Sequence, residues 1–266
     1  MSKIGVFDSG FGGLTVLKGI RELLPEYDYI YLGDNARAPY GSRSHNEVFE
    51  FTKQAVDHLF EQDCELIVLA CNTASSGSLR RIQQEYLPKK YPRKRVLGVL
   101  IPACEKVVEE GHKKVAVLGT ETTINSGTYI EELKKIDPSI EVIQRACPGL
   151  VPLIESGVDN GEELEKLLDE YTNDISNMEA VILGCTHYEI INDQINRRFL
   201  DFDTVPQSKL VAEKLVDYLK RHPEIETKLS KNKTVKYFST DCDKKFKEFG
   251  KKIIGSDIEV EKISLN

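Results

Sequence analysis

Three observations predict an α/β fold built from two similar units. Short apolar runs rich in β-branched residues alternate with longer segments of helical periodicity. The runs are apolar along their whole length, as in parallel sheets covered on both faces, rather than alternating apolar with polar. Finally, Val-Leu-Ala-Cys-Asn-Thr at 68 to 73 is echoed by Ile-Leu-Gly-Cys-Thr-His at 182 to 187, and the run at 4 to 7 by one at 115 to 118, offsets of 114 and 111 residues.

In chain order, strands are expected at Ile4 to Phe7, Tyr29 to Leu32, Leu66 to Ala70, Val96 to Leu100, Val115 to Leu118, Val142 to Gln144, Val181 to Leu183 and Val235 to Phe238. Between the second and third, a capping box of Ser44 and Glu47 precedes Val48, Phe51, Ala55, Val56 and Leu59 at helical spacing. Leu164, Leu167, Leu168 and Tyr171 repeat that spacing later. In each unit a strand ends in a polar loop, and about 65 residues on another strand ends in a cysteine at the mouth of a helix. From about Ser208 come a helix carrying Leu210, Val211, Leu215 and Leu219, a strand, and a last helix. This segment is expected to dock on the first unit, giving domains of residues 1–98 plus 208–266 and 99–207, with no proline-rich or glycine-serine linker between them.

The size agrees with that organisation, since 266 residues make one large or two small domains at roughly 150 residues each. A chain this long buries on the order of 70% of its unfolded surface, so its six cysteines are not needed as staples. Hydrophobic residues at 40% and charged residues at 30% are those of an ordinary globular protein. With 36 basic and 43 acidic residues, the net charge of −7 argues against a nucleic-acid partner. The N-terminus, Met-Ser-Lys-Ile-Gly-Val-Phe-Asp, lacks the apolar core of a secretory signal. The longest apolar runs, such as Leu66 to Cys71, fall far short of the ~18 residues that cross a bilayer. A cytoplasmic location with no membrane partner is therefore expected, where cysteines are more often free, catalytic or metal-bound than paired.

Open parallel sheets bind ligands at the carboxyl ends of their strands. Every distinctive polar cluster falls at such an end: Asp8-Ser9-Gly10, Gly33-Asp34-Asn35, Cys71-Asn72-Thr73, Gly119-Thr120 and Cys185-Thr186-His187. Cys64, Cys104, Cys147 and Cys242 read as small buried hydrophobes. Cys71 and Cys185 differ, because each stands where an apolar strand gives way to a polar helix start. Free N–H groups there are expected to lower a thiol pKa from ~8.5 toward neutrality. Two such thiols, one from each half, would face each other across a cleft. Zinc would need about four ligands, which Cys71, Cys185, His187 and Asp8 could just supply. A cysteine hydrolase would leave one thiol unexplained. Proton abstraction at a stereocentre uses both, a thiolate on one face and a thiol on the other. Gly10, Gly12 and Gly13 do not make a dinucleotide fingerprint, since Thr15 stands at its third glycine, and no Gly-Lys-Ser/Thr loop is present.

Asp-Ser-Gly-Phe-Gly-Gly-Leu (8 to 14), Gly-Asp-Asn-Ala-Arg-Ala-Pro-Tyr-Gly (33 to 41), Ala-Cys-Asn-Thr-Ala-Ser (70 to 75) and Leu-Gly-Cys-Thr-His-Tyr (183 to 188) closely resemble the signatures of the glutamate racemases, in order and spacing. The resemblance runs over nearly the whole chain. It implies two pseudo-symmetric α/β domains with the site between them, and a cofactor-independent enzyme, without metal, that interconverts L- and D-glutamate for peptidoglycan. It also implies a homodimer. Carried over by position, Cys71 and Cys185 match the two acid/bases, and Asp8 and Ser9 the residues that hold the substrate ammonium, Asp8 also assisting Cys71. Asn72, Thr73, Thr120, Thr123 and Thr186 match polar groups around the α-carboxylate and amine, where helix N-termini favour an anion. Tyr40 and Gly41 match the loop for the distal carboxylate, His187 the residue assisting the second cysteine, and Glu155 an auxiliary carboxylate.

Four departures stand out. Tyr188 is followed by Glu189 where proline and leucine are usual, and Gly149 replaces a bulky residue; both are expected to flank the site and to bear on the fine shape of the pocket rather than on the chemistry. Pro206-Gln207-Ser208 replaces the commoner run at a helix start, and Ala103 a glycine after Pro102. With no extension ahead of the first strand, the chain is not expected to fall in the branch with an activator-binding tail. Aspartate or hydantoin racemisation, and ligand binding without chemistry, are the alternatives.

Overall fold

The structure is a computed structural model and describes residues 1–199, 203–241 and 244–265. It begins with β1 (Lys3–Asp8), α1 (Leu14–Leu23), β2 (Tyr29–Gly33), α2 (His45–Glu61), β3 (Cys64–Leu69), α3 (Asn72–Arg81), α4 (Leu87–Lys90) and β4 (Arg95–Gly98). There follow α5 (Leu100–Glu109), β5 (Lys114–Gly119), α6 (Glu121–Asn125), α7 (Thr128–Ile136), β6 (Glu141–Ala146), α8 (Leu150–Glu155), α9 (Glu162–Thr172) and β7 (Ala180–Gly184). The chain then forms a 3-10 helix (Thr186–Ile191), α10 (Asn192–Asn196), β8 (Asp203–Val205), α11 (Gln207–Arg221), α12 (Pro223–Glu226), β9 (Val235–Ser239), α13 (Lys244–Ile254) and β10 (Val260–Lys262).

Among the described residues every strand pair is parallel. The first sheet runs β10-β9-β2-β1-β3-β4 and the second β6-β5-β7-β8. Stripped of β9 and β10, both read second-first-third-fourth, so the offset seen between motifs reflects a matched strand order. The apolar strands divide their side chains between two faces with a period of two. In β3, Leu66 and Val68 join the core under α1, α11 and α13, while Ile67 and Leu69 join the one under α2. In β7, Val181 and Leu183 pack toward α8 and α9, and Ala180 and Ile182 toward α5 and α7.

The capping box is present, with Ser44 Oγ accepting from the Glu47 N–H and the Glu47 carboxylate accepting from the Ser44 N–H. Of the helical residues expected to face the core, Phe51 and Leu167 are only half-buried. The strand expected over Val96 to Leu100 stops at Gly98; Leu100 opens α5 and packs under the second sheet. The short strands β8 and β10 escape sequence reading because three residues cannot display a period. The C-terminal segment reaches both sheets. Val211, Ala212 and Leu215 of α11 pack against Leu14, Leu17 and Ile20 of α1, and β9 pairs with β2. Leu210, however, packs under the second sheet beside Val107 and Val205.

At the α1–α11 contact, a Cβ on Gly19 would sit 2.6 Å from the Ser208 carbonyl oxygen. Alanine there gains about 1 kcal/mol of helix propensity, while forcing two packed backbones apart costs about 1–3 kcal/mol. Gly19→Ala should therefore lower the urea midpoint with an unchanged m-value; a raised midpoint would show that α1 can shift freely.

Candidate active site

All the polar strand-end clusters emerge on one side of their sheets, because parallel strands end together. The two sheets turn these ends toward each other, and the cleft between them is lined by Ser9, Tyr40, Gly41, Cys71, Asn72, Thr73, Thr120, Glu155, Cys185, Thr186 and His187. Asp8 and Thr123, also expected at the site, stand one layer behind this wall, 1% and 0% exposed.

Close approach of the halves depends on glycine. A Cβ on Gly12 would lie 2.5 Å from Thr186 Oγ1 and 2.7 Å from the His187 ring, and one on Gly41 2.7 Å from Thr120 Cβ. Hydroxyls bond across the same seam: Thr73 Oγ1 is 2.9 Å from Thr120 Oγ1 and 3.2 Å from Thr123 Oγ1. Thr122 donates to the carbonyls of Gly41 and Arg43, both at 2.9 Å.

Cys71 is the N-cap of α3, its sulfur accepting from the Ala74 N–H at 3.4 Å while its thiol donates to Ser9 Oγ at 3.4 Å. The expectation of a depressed thiol pKa is overturned here. Burial pushes the Cys71 thiol up to about 12, the nearby Asp8 charge adds to it, and the two hydrogen bonds offset only part. Asp8 itself is raised, chiefly by burial, against the pull of His187 and of the Gly10 and Gly13 N–H groups. Its Oδ2 accepts from the Gly10 N–H at 2.9 Å, whereas the buried Oδ1 has no hydrogen-bond partner among the described residues.

Cys185 has a different setting. It precedes a 3-10 helix and caps none of its N–H groups, so the expected α-helical N-terminus is absent. Instead its sulfur lies 3.8 Å from His187 Nδ1, and His187 Nε2 lies 2.9 Å from Glu155 Oε1. The latter is a charge contact rather than an aligned hydrogen bond, because the ring N–H points off the line. Burial opposes a charged ring, yet Cys185 and Glu155 together raise His187 to about 10. Phe11 packs edge-on against it, ring centroids 5.6 Å apart.

Some expected side chains are already engaged. The Asn72 amide is bonded at both ends within the protein, to Gln207 and Tyr129, and the Tyr40 hydroxyl donates to Asp34. Cys64, Cys104 and Cys147 are buried and free, but Cys147 also lines the cleft, which its reading as a packing residue missed; Cys242 lies outside the described residues. Gly149 lines the cleft too, at a φ of 86° that favours glycine. Glu189, two residues beyond His187, does not: its carboxylate accepts from the backbone N–H and hydroxyl of Ser208. Among the described residues no cluster of three or more His, Cys, Asp or Glu could hold a metal.

A raised folded-state pKa at His187 means that the native protein keeps a proton the unfolded chain releases. The stability this contributes is complete below about pH 6.5 and is lost as pH rises toward about 10. His187→Asn should flatten the decline of unfolding free energy over that window in urea titrations; equal slopes for both proteins would show a neutral ring.

Comparison with known proteins follows the same lines. A glutamate racemase of Aquifex aeolicus is 37% identical over 259 residues, covering 97% of this chain and 96% of its own. A glutamate racemase from Francisella tularensis, solved in complex with D-glutamate, superposes with a TM-score of 0.90 at 34% identity, covering 100% of this chain and 98% of that one. One from Aquifex pyrophilus gives a TM-score of 0.81 at 33% identity, with 97% of each chain covered. The Asp/Glu/Hydantoin racemase family model matches residues 4–210, and the chain belongs to that family.

Proposed function

We propose that this protein is a glutamate racemase in which Cys71 and Cys185 exchange the α-proton from opposite faces of the substrate. The observation that carries this reading is that two cysteines at corresponding strand ends, β3 and β7, line one cleft. One sulfur, as thiolate, takes the α-proton; the thiol opposite delivers a proton to the other face of the carbanion. Reversing the roles runs the reaction the other way.

The surroundings suit the two sides differently. Cys71 rests as a thiol beside the buried Asp8 carboxyl, whose unpartnered Oδ1 suits it to assist Cys71 from behind the cleft wall. Cys185 has a buried, positively charged His187 at its side, backed by Glu155. The Thr73, Thr120 and Thr186 hydroxyls and the backbone at Asn72 suit the α-carboxylate, and the Tyr40-Gly41 backbone the distal one. The similarity to glutamate racemases over nearly the full chain supports glutamate rather than aspartate or a hydantoin.

The same reading gives a cofactor-independent homodimer in the cytoplasm that supplies D-glutamate for peptidoglycan. Among the described residues no helix is long and apolar enough to cross a membrane. Sheet membership supports domains of 1–98 with 208–266 and of 99–207.

Polarimetry on L-glutamate without added cofactor should decay to zero rotation, with aspartate and hydantoin controls unchanged; a flat trace with reduced thiols overturns the reading. Cys71→Ala and Cys185→Ala should each cost at least the ~10²–10⁴-fold of a lost acid/base group. Each variant should still exchange the α-hydrogen of one enantiomer with deuterated solvent, the opposite enantiomer in the two cases.

A further inference from the structure

Two departures from the racemase pattern that lie 17 residues apart in sequence, Glu189 and the Pro206-Gln207-Ser208 run, meet in the first turn of α11. Gln207 is 2% exposed. Its Nε2 donates to Asn72 Oδ1 at 3.0 Å and to the Tyr129 hydroxyl at 2.9 Å, while its Oε1 accepts from Asn72 Nδ2 at 2.7 Å. The Tyr129 hydroxyl donates in turn to Asn72 Oδ1 at 2.7 Å. Asn72 is covalently next to Cys71 and opens α3, whereas Tyr129 belongs to α7 under the second sheet.

The next residue grips the other half of the site. Ser208 donates its backbone N–H, at 3.3 Å, and its hydroxyl to the Glu189 carboxylate, in the short helix that carries Thr186 and His187 after Cys185. Consecutive residues of one helical turn thus hold both cysteine-bearing segments. The turn itself is pinned to α1 by the Gly19 contact.

We infer that the first turn of α11 is a positioning element for racemisation: Gln207, through Asn72, sets the place of the Cys71 segment, and the Ser208–Glu189 pair sets that of the Cys185 segment. The inference rests on the two-cysteine reading above. Its physical basis is that the buried Gln207 and Asn72 amides, bonded to each other through both ends, and the half-buried Ser208–Glu189 pair favour one arrangement, and removing one partner leaves another unpaired. Transfer of a proton between sulfur and carbon is steep in distance, so a shift of about 1 Å costs on the order of 10²-fold. Gln207, Tyr129 and Ser208 are positioning residues in this account, since none of them lines the cleft.

The test uses the full chain with Gln207→Leu, Tyr129→Phe, their double variant, and Ser208→Ala. Glutamate racemisation is followed by circular dichroism, and alkylation of each cysteine by iodoacetamide is followed by peptide mass. Gln207→Leu should lower kcat/KM about tenfold or more and Tyr129→Phe less. The double variant should be no slower than Gln207→Leu, because both act through Asn72. Alkylation should change at Cys71 in Gln207→Leu and at Cys185 in Ser208→Ala, each without the other. Near-wild-type kcat/KM in folded Gln207→Leu, additive losses in the double variant, or equal changes at both cysteines would overturn the inference. Should Gln207→Leu not fold, Tyr129→Phe decides alone: slower racemisation at an unchanged melting temperature supports the inference, and wild-type kinetics overturn it. The alkylation readout stands apart from the chemistry, so a failure of the two-cysteine reading would show separately, as racemisation surviving in Cys71→Ala.

Discussion

The parallel ladder through β1 and β5 is the constraint on which the rest of the molecule depends. β1 pairs with β2 and β3, and β5 with β6 and β7, so each central strand brings its neighbours to the same end in fixed register. Phe7 lies opposite Leu69, and Gly119 opposite Gly184, which places Asp8 near Cys71 and Thr120 near Cys185 before any side-chain contact is made. Because β1, β2, β3, β5 and β7 are buried on both faces, polar residues collect at their ends, whereas the edge strand β6 is half-exposed and carries Glu141, Gln144 and Arg145 along its length.

Bringing two such ends together buries many polar groups, and most of them are satisfied within the protein. Threonine hydroxyls meet threonine hydroxyls and loop carbonyls, and Asn72 meets Gln207 and Tyr129. Glycines at 12 and 41 allow the backbones to come this close. What stays unmatched at the centre, among the described residues, is Asp8 Oδ1, His187 Nε2 outside its charge contact with Glu155, and the two sulfurs with their weak, long contacts. Reactive capacity is concentrated where structural bonding is absent.

The two thiols show how a local cue and a global one compete. At Cys71 the helix N-terminus is present and bonds the sulfur, yet burial outweighs it and holds the proton on. At Cys185 no such cap exists, and a buried charged histidine stands in its place. A sequence displays the residue that follows a strand but not how much water reaches it, so the direction of the Cys71 shift was illegible. Eleven of the thirteen expected site residues do line the cleft: eight stand in strand-end motifs, while Tyr40, Gly41 and Glu155 were marked only by the family resemblance. Cys147 was read only as packing and Gln207 only as part of a departure, because neither stands in one of the repeated motifs.

By itself the sequence determined the local matters: the strand runs, the capped helix at Ser44, the matched halves and the two cysteines that end corresponding strands. Their causes, side-chain periodicity, capping chemistry and repeated motifs, act within a few residues or between similar segments. Only the tertiary structure decided which distant groups meet, such as Gln207 with Asn72, 135 residues apart, and Glu189 with Ser208 rather than with the pocket. It also decided the protonation of Cys71 and His187. Both outcomes arise from closure of two sheets around a cleft, which excludes water and sets charges that no stretch of sequence contains.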